Sequence, residues 1–335
     1  MNKMPNIDNI DLNLFVPASK EEKTDLIVMR ESTTYWQDAW RRLKRNKLSM
    51  VSLYVIIFMA LLAFIGPLLI PYSYSDQFRG HENELPSLRH FFGTDSLGRD
   101  LFVRVLIGTR ISLIIGIVAS AMILLIGSVY GAIAGYFGGR VDNIMMRIVD
   151  IIYSIPDLLI IILLSVVLKK PLEQAFNVNP FLKKLSIVGP GLISIFIVLS
   201  LLYWVNMARI VRGQVLSLKE QEYVNAARAL GASSSRIIFK HLIPNCIGPI
   251  IVTVTFQIPS AIFAEAFLSF IGLGVDAPMA SLGSLTSSAL NGIYSYPYLL
   301  IFPALFISII ILSFNLLGDG LRDALDPRMR KDSVN

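Results

Sequence analysis

The chain has 335 residues, of which 54% are hydrophobic and only 16% charged, with a mean hydropathy of +0.62. Soluble domains carry about 25% charged residues, so this composition excludes an ordinary globular domain and indicates a polytopic membrane protein. The net charge of +6 is expected in cytoplasmic loops rather than on a nucleic-acid surface, and one cysteine with three scattered His gives neither an internal disulfide nor a metal site.

Residues 1–33 are polar with mixed charge and little periodicity, which predicts a cytoplasmic disordered tail. The first apolar run starts near residue 49, behind this long charged leader, so no cleavable signal peptide is expected. Residues 34–48, TYWQDAWRRLKRNKL, place Trp36, Trp40 and Leu43 on one helical face with Arg41, Arg42, Lys44 and Arg45 around the rest. That pattern predicts an amphipathic helix lying on membrane lipid at the inner leaflet.

Runs of about 20 apolar residues mark spanning helices. Six are expected, over residues 49–71, 111–136, 145–168, 187–207, 247–273 and 297–317, giving an all-α membrane protein. The runs are continuous rather than alternating, which excludes a barrel. With both termini cytoplasmic, 21 of the 30 Lys and Arg lie inside, as the positive-inside rule requires. One loop goes against this bias, because Lys169, Lys170, Lys183 and Lys184 then lie outside. The domain reading is an elbow helix plus first span over 34–72, an extracellular segment over 73–108, and a core of five further spans over 109–330.

Within the extracellular segment, GTDSLGRD (93–100) has the Gly-x4-Gly spacing of a phosphate-binding loop. Arg99 stands where the phosphate-reaching Lys belongs, and Asp100 replaces the magnesium-binding hydroxyl. The segment is therefore no nucleotide site, and no cofactor is expected in this chain.

Three acids lie within or at the ends of spans: Asp150, Asp157 and Glu265. A central Asp costs about 2.5–3.5 kcal/mol on insertion, while each Leu, Ile or Val returns about 0.3–0.6 kcal/mol. The third span has 15 such residues between Ile148 and Leu168, so with two Asp it inserts with little margin. Asp150, one turn from Arg147, is expected to pair locally. Asp157 follows Pro156, and its default position faces a polar cavity; Asp157 and Glu265 are the candidate pathway residues. The last outer loop, GLGVDAPMASLGSLTSSALNGIYSYP, is rich in small and hydroxyl residues, which suits either a segment dipping into a pathway mouth or an ordinary connector.

The most informative stretch is EYVNAARALGASSSRIIFKHLIPN (222–245), a polar hairpin between two apolar spans. Tyr223, Ala226, Ala227 and Leu230 recur at helical spacing as a small-residue face. Gly231 suits a left-handed cap, and Ser233 or Ser234 a second N-cap. Ile237, Ile238 and Leu242 mark a second short helix before Pro244. Alanines permit close approach of another protein surface, so the hairpin reads as a dock for a protein groove.

At this point the chain resembles ABC importer permeases, whose cytoplasmic loop runs Glu-Ala-Ala, three residues, Gly, nine residues, Ile-x-Leu-Pro. Here the sequence reads Asn225-Ala226-Ala227, Gly231, then His241-Leu242-Ile243-Pro244 with the spacing intact; Asn225 replaces the Glu. FFGTDSLGRDLFVRVLIGTRISL (91–113), AEAFLSFIGLGV (264–275) and FNLLGDGLRDALDPRMR (314–330) extend the likeness to the C-type permeases of oligopeptide/dipeptide importers, over residues 36–330. The resemblance implies the type I importer permease fold in a bacterial cell membrane, and a coupling loop over 220–244. Its coupling residues would be Glu222, Asn225, Ala226, Ala227, Arg228, Gly231 and Pro244. It also implies a homologous B-type permease, two ABC ATPase subunits that bind the ATP and magnesium, and an extracellular peptide-binding protein. The chain itself would be non-catalytic. Members of the same branch also move nickel chelates and glutathione. A secondary transporter working without ATP would need ion-coupling acids or an inverted repeat, and neither is found. A membrane enzyme would need a nucleophile–base or metal constellation, and none is found.

Overall fold

The computed structural model describes residues 34–179, 189–275 and 279–326; the expected tail over 1–33 lies outside them. Helix α1 (Tyr35–Arg45) opens on a capping box, in which Thr34 accepts from the Gln37 amide and Gln37 reaches back to the Thr34 amide. Asp38 stands in its first turn and Arg42, Lys44 and Arg45 in its last, each complementing the helix dipole. Asn46 closes α1 through its amide and caps the next helix through its side chain, accepting from Ser49. The chain thus turns at one residue into α2 (Lys47–Leu69), the first apolar helix.

Residues 70–100 fold as an ordered loop. Thr94 holds it together: its hydroxyl accepts from the Glu84 amide at 2.8 Å, and its carbonyl accepts from the Tyr298 hydroxyl at 3.1 Å. Gly93 and Gly98 both adopt positive φ, and the Asp95 carboxylate between them accepts from the Leu97 and Arg99 amides. The phosphate-loop spacing therefore comes from two left-handed turn positions around an aspartate, and Arg99 pairs with Asp95 at 2.7 Å. Asp100 uses one oxygen to cap α3 and the other to bond His90 at 2.8 Å.

Helix α3 (Leu101–Phe137) has 37 residues and a length of about 55 Å. It begins ten residues before the expected span, and Leu101, Val103, Val105 and Leu106, assigned by sequence to the outer segment, are buried helix. Such a rod outlasts a hydrocarbon core of about 30 Å. It runs through all three main core clusters, one with α2 and the C-terminal helix, one with the helices over Asp157–Val178 and Gly189–Leu202, one with the helix over Trp204–Leu218 and the hairpin.

The third expected span is broken. Helices α4 (Gly139–Tyr153) and α5 (Asp157–Val178) meet at 84°. Pro156 lacks the amide a continuing helix needs and disfavours helical backbone at Ile155, so the chain turns there. Helices α6 (Gly189–Leu202) and α7 (Trp204–Leu218) form one 30-residue apolar run with a break at Tyr203. The hairpin follows, then α11 (Ile247–Phe270). The loop between α11 and the last helix contains α12 (Leu282–Ala289), capped by Ser281, with Leu282, Leu285 and Ala289 in the main core. Helix α13 (Tyr298–Leu325) ends the described chain. Among the described residues five helical runs are long and apolar enough to cross a membrane, six if the bent pair counts as one.

Glycines make a close seam between α3 and α7. Gly127, Gly131 and Gly135 lie four apart on α3 and meet α7, where a Cβ at Gly131 would strike the Ala208 backbone and one at Gly135 would lie 2.9 Å from the Arg212 carbonyl oxygen. Small residues at this spacing let two membrane helices approach backbone to backbone.

Candidate functional site

The hairpin leaves α7 at Lys219 and consists of α8 (Glu222–Ala229), α9 (Ser234–Arg236), a π-helical turn (Ile237–Leu242) and α10 (Ile243–Asn245). Glu222 sits in the first turn of α8, where the dipole favours its charge. Gly231 has φ +80°, its amide bonds the Arg228 carbonyl, and the Ala232 amide bonds the Ala227 carbonyl. This is a Schellman ending, as the glycine led one to expect. Ser233 caps α9 by accepting from the Arg236 amide, and Pro244 lies in α10, exposed, at the turn into α11.

The two faces of the hairpin differ sharply. Val224, Ile237, Ile238 and Leu242 are buried in one cluster with Met207, Val211 and Val215 of α7 and Ile123 and Ala132 of α3. Outward, Leu230 is 88% exposed, Phe239 53% and Tyr223 40%. Ala226 and Arg228 are also exposed, and Ala227 is half-buried. Asn225 accepts from Arg228 at 3.3 Å, so the amide in place of an acid still holds the arginine on the helix surface. Partial burial pushes the Tyr223 phenol above its ordinary value. Val224 went unremarked in the sequence, although it is the sole β-branched residue of α8; its branching against four alanine or asparagine neighbours was the available signal.

The membrane acids separate. Asp150 does not pair with Arg147; it bonds Arg209 of α7 at 2.7 Å, and that guanidinium stacks over Tyr153 at 4.1 Å. One turn further along α7, Arg212 grips Asp142 with two bonds of 2.6 Å. This second pair was missed because the partners are 70 residues apart. Asp157 is not in the middle of a continuous helix: it opens α5 at the break, exposed, and accepts from the Leu158 amide. Glu265 is fully buried inside the chain, accepting from Ser112 at 2.9 Å and Ser269 at 2.7 Å, so its carboxylate faces packed helices and not an open space.

Residues 127–331, from mid-α3 through the hairpin to beyond α13, match the family model described as "Binding-protein-dependent transport system inner membrane component". The chain belongs to this family. Residues 34–86 match a second model, "N-terminal TM domain of oligopeptide transport permease C". Among curated proteins the chain is similar to "Oligopeptide transport system permease protein OppC" of Bacillus subtilis (strain 168), 47% identical over 325 residues, covering 97% of this chain and 100% of the relative. It is 49% identical over 318 residues to "Dipeptide transport system permease protein DppC" of the same organism, covering 95% and 93%. The Escherichia coli (strain K12) OppC is 40% identical over 302 residues, covering 90% and 93%. The chain is thus an inner-membrane permease of a binding-protein-dependent transport system, and the polar hairpin lies inside the region that defines the family.

Proposed function

We propose that the chain is a permease subunit of an ATP-driven importer of oligopeptides or dipeptides, non-catalytic itself, with ATP and magnesium bound by two partner ATPase subunits. Six spans with both termini cytoplasmic agree with the charge bias and with counting α4 and α5 as one broken span. A homologous B-type permease would complete the pathway, and an extracellular peptide-binding protein would deliver the peptide; the family description supports a binding protein, and the relatives' names support a peptide. Asp157 is proposed to line the pathway, because an exposed carboxylate with no ion pair among the described residues needs a polar surrounding inside a membrane.

The observation that carries the reading is the hairpin's two-sidedness. A loop with its inner face locked in the core and Leu230, Tyr223 and Phe239 held outside beside Arg228 is built to be gripped by another protein. Leu230→Asp tests it without threatening the fold, since that side chain touches almost nothing in the chain. A charge buried without a partner in an interface costs several kcal/mol, about 3–5 kcal/mol where the partner is lost outright. The expected result is normal membrane abundance, loss of ATPase subunits on co-purification and loss of peptide uptake. Uptake and co-purification at wild-type levels would show that the dock lies elsewhere.

A further inference from the structure

Helix α1 is fastened to the C-terminal half of α13 at both ends. The Tyr35 hydroxyl donates to the Leu325 carbonyl at 3.2 Å, and beyond the other end Ser49 donates to the Leu316 carbonyl at 3.2 Å. Leu43 packs with Leu317 and Ala324 beneath. Between these fastenings lies an open cleft of 470 Å³, lined chiefly by Asp38, Arg41, Arg42, Arg45, Asn46 and Asp323.

The charges in this cleft are not closed on themselves. Asp38 is shared by Arg41 and Arg42, and those bonds, the Arg41 hydrogen bond foremost, hold its carboxyl below the usual range. Arg45 and Asp323 form no ion pair with any described residue, although both line the cleft. The lining therefore has one surplus positive charge, one open guanidinium and one open carboxylate. Trp36 and Trp40 stand exposed on the same helix, with Lys44 over the Trp40 ring at 5.3 Å. Exposed indoles beside cations are the anchors of a helix at the headgroup level of a bilayer.

We infer that the α1–α13 cleft is a headgroup site for one anionic phospholipid of the phosphatidylglycerol type. A phosphodiester supplies the single negative charge that balances the lining, and Arg45, with Arg42 beside it, presents the planar donor fork that suits phosphate oxygens. Glycerol hydroxyls supply donors for Asp323, which a headgroup of phosphate alone would repel. An ethanolamine head would satisfy Asp323 but leave the surplus positive charge unbalanced, and a choline head has no hydrogen to donate. The exposed indoles place the acyl chains beside α1, so the bound lipid would fill the angle between the surface helix and the last span. The site rests on the proposed surface position of α1, though not on which leaflet it occupies.

The test uses the whole transport complex in nanodiscs of phosphatidylglycerol, phosphatidylethanolamine and phosphatidylcholine in equal parts. The complex is extracted into mild detergent, and retained lipids are counted by mass spectrometry. Wild type should retain phosphatidylglycerol preferentially. Arg45→Ala should weaken that retention about fivefold and Arg45→Glu further, at the worth of one basic residue near a lipid surface. In a second disc with phosphatidic acid in place of phosphatidylcholine, Asp323→Ala should narrow the preference for phosphatidylglycerol over phosphatidic acid. Arg140→Glu, an exposed charge change on α4 outside the cleft, should leave retention unchanged. The inference is overturned if wild type shows no phosphatidylglycerol enrichment, if Arg140→Glu lowers it as much as Arg45→Glu, if phosphatidylethanolamine is held instead, or if excess inorganic phosphate strips the lipid. Because both leaflets of the disc have one composition, an inverted topology would leave the result intact and would show itself separately by thiol labelling of the outer loop.

Discussion

Helix α4 is held to the rest of the protein by few groups, which makes its attachment measurable. Of its residues only Asp142 and Val149 are buried. Burying one valine contributes about 1.5–3 kcal/mol. The Asp142–Arg212 pair is bidentate with both bonds at 2.6 Å; the Asp142 side chain is 9% exposed and that of Arg212 34%. Arg212→Ala leaves a nearly buried carboxylate without either donor. A fully buried pair broken in this way costs about 3–5 kcal/mol, and the exposure of Arg212 lowers that to about 2–3 kcal/mol. Asp142→Asn keeps the shape and one acceptor, and should cost about 1–2 kcal/mol. The double variant gives the coupling directly, with an expected value of about 1.5–2.5 kcal/mol. Unfolding by SDS titration into mild detergent micelles can be followed by tryptophan emission, because Trp204 lies against Tyr130 with ring centroids 4.5 Å apart in the α4–α7 cluster. A coupling energy below about 0.5 kcal/mol, the level at which independent sites simply add, would refute the claim that this pair holds α4 to α7.

Gly131→Leu should abolish stable assembly, because its side chain would have to occupy the Ala208 backbone across the α3–α7 seam; a variant that purifies with wild-type yield and unfolds normally would contradict the close approach. A cysteine at the exposed Ser87, with buried Cys246 replaced by Ala, should react with a membrane-impermeant thiol reagent on intact cells. Labelling only after the membrane is opened would invert the proposed topology. Asp157→Asn should leave abundance and subunit assembly unchanged while altering uptake rate or peptide preference; unchanged uptake of every peptide tried would remove Asp157 from the pathway.

The helical elements that depend on a local pattern could be read from the sequence, and those that depend on distant partners could not. The spans over 49–71 and 247–273 agree with α2 and α11 to within a few residues, since a continuous apolar run has one outcome in a membrane. The Gly231 cap, and a serine cap at Ser233 or Ser234, were legible for the same reason: each is satisfied by backbone groups a few positions away, and Ser233 is the serine that caps. The break before Asp157 was signalled by Pro156 and by the narrow insertion margin, but an apolar window averages over a proline and reports a single span. The start of α3 at Leu101 was hidden because charged Arg104 and Arg110 lower the hydropathy there; both find partners outside the helix, Arg110 in the Ala63 carbonyl at 3.0 Å, and Arg104 in the Tyr74 carbonyl at 3.3 Å and the Asp95 carboxylate at 3.5 Å. The pairing of Asp150 with Arg209 needed the helix partners, which one sequence does not supply.

The hairpin's inner face bears on how a partner's movement would enter the protein. A loop tethered only by its backbone could swing without disturbing the spans. Here Ile237, Ile238 and Leu242 share one cluster with α7, and α7 is in turn pressed against α3 along Gly127, Gly131 and Gly135. Close-packed interiors resist gradual deformation, so a displacement of the hairpin large enough to matter has to carry α7 with it. Two ion pairs then join α7 to α4, whose end is the break at Ser154 and Pro156, one residue before Asp157. The described contacts therefore form an unbroken chain from the exposed Leu230 surface to the bent third span. The least redundant part of that chain is the pair of arginines on α7, since α4 has so little else buried against its neighbours.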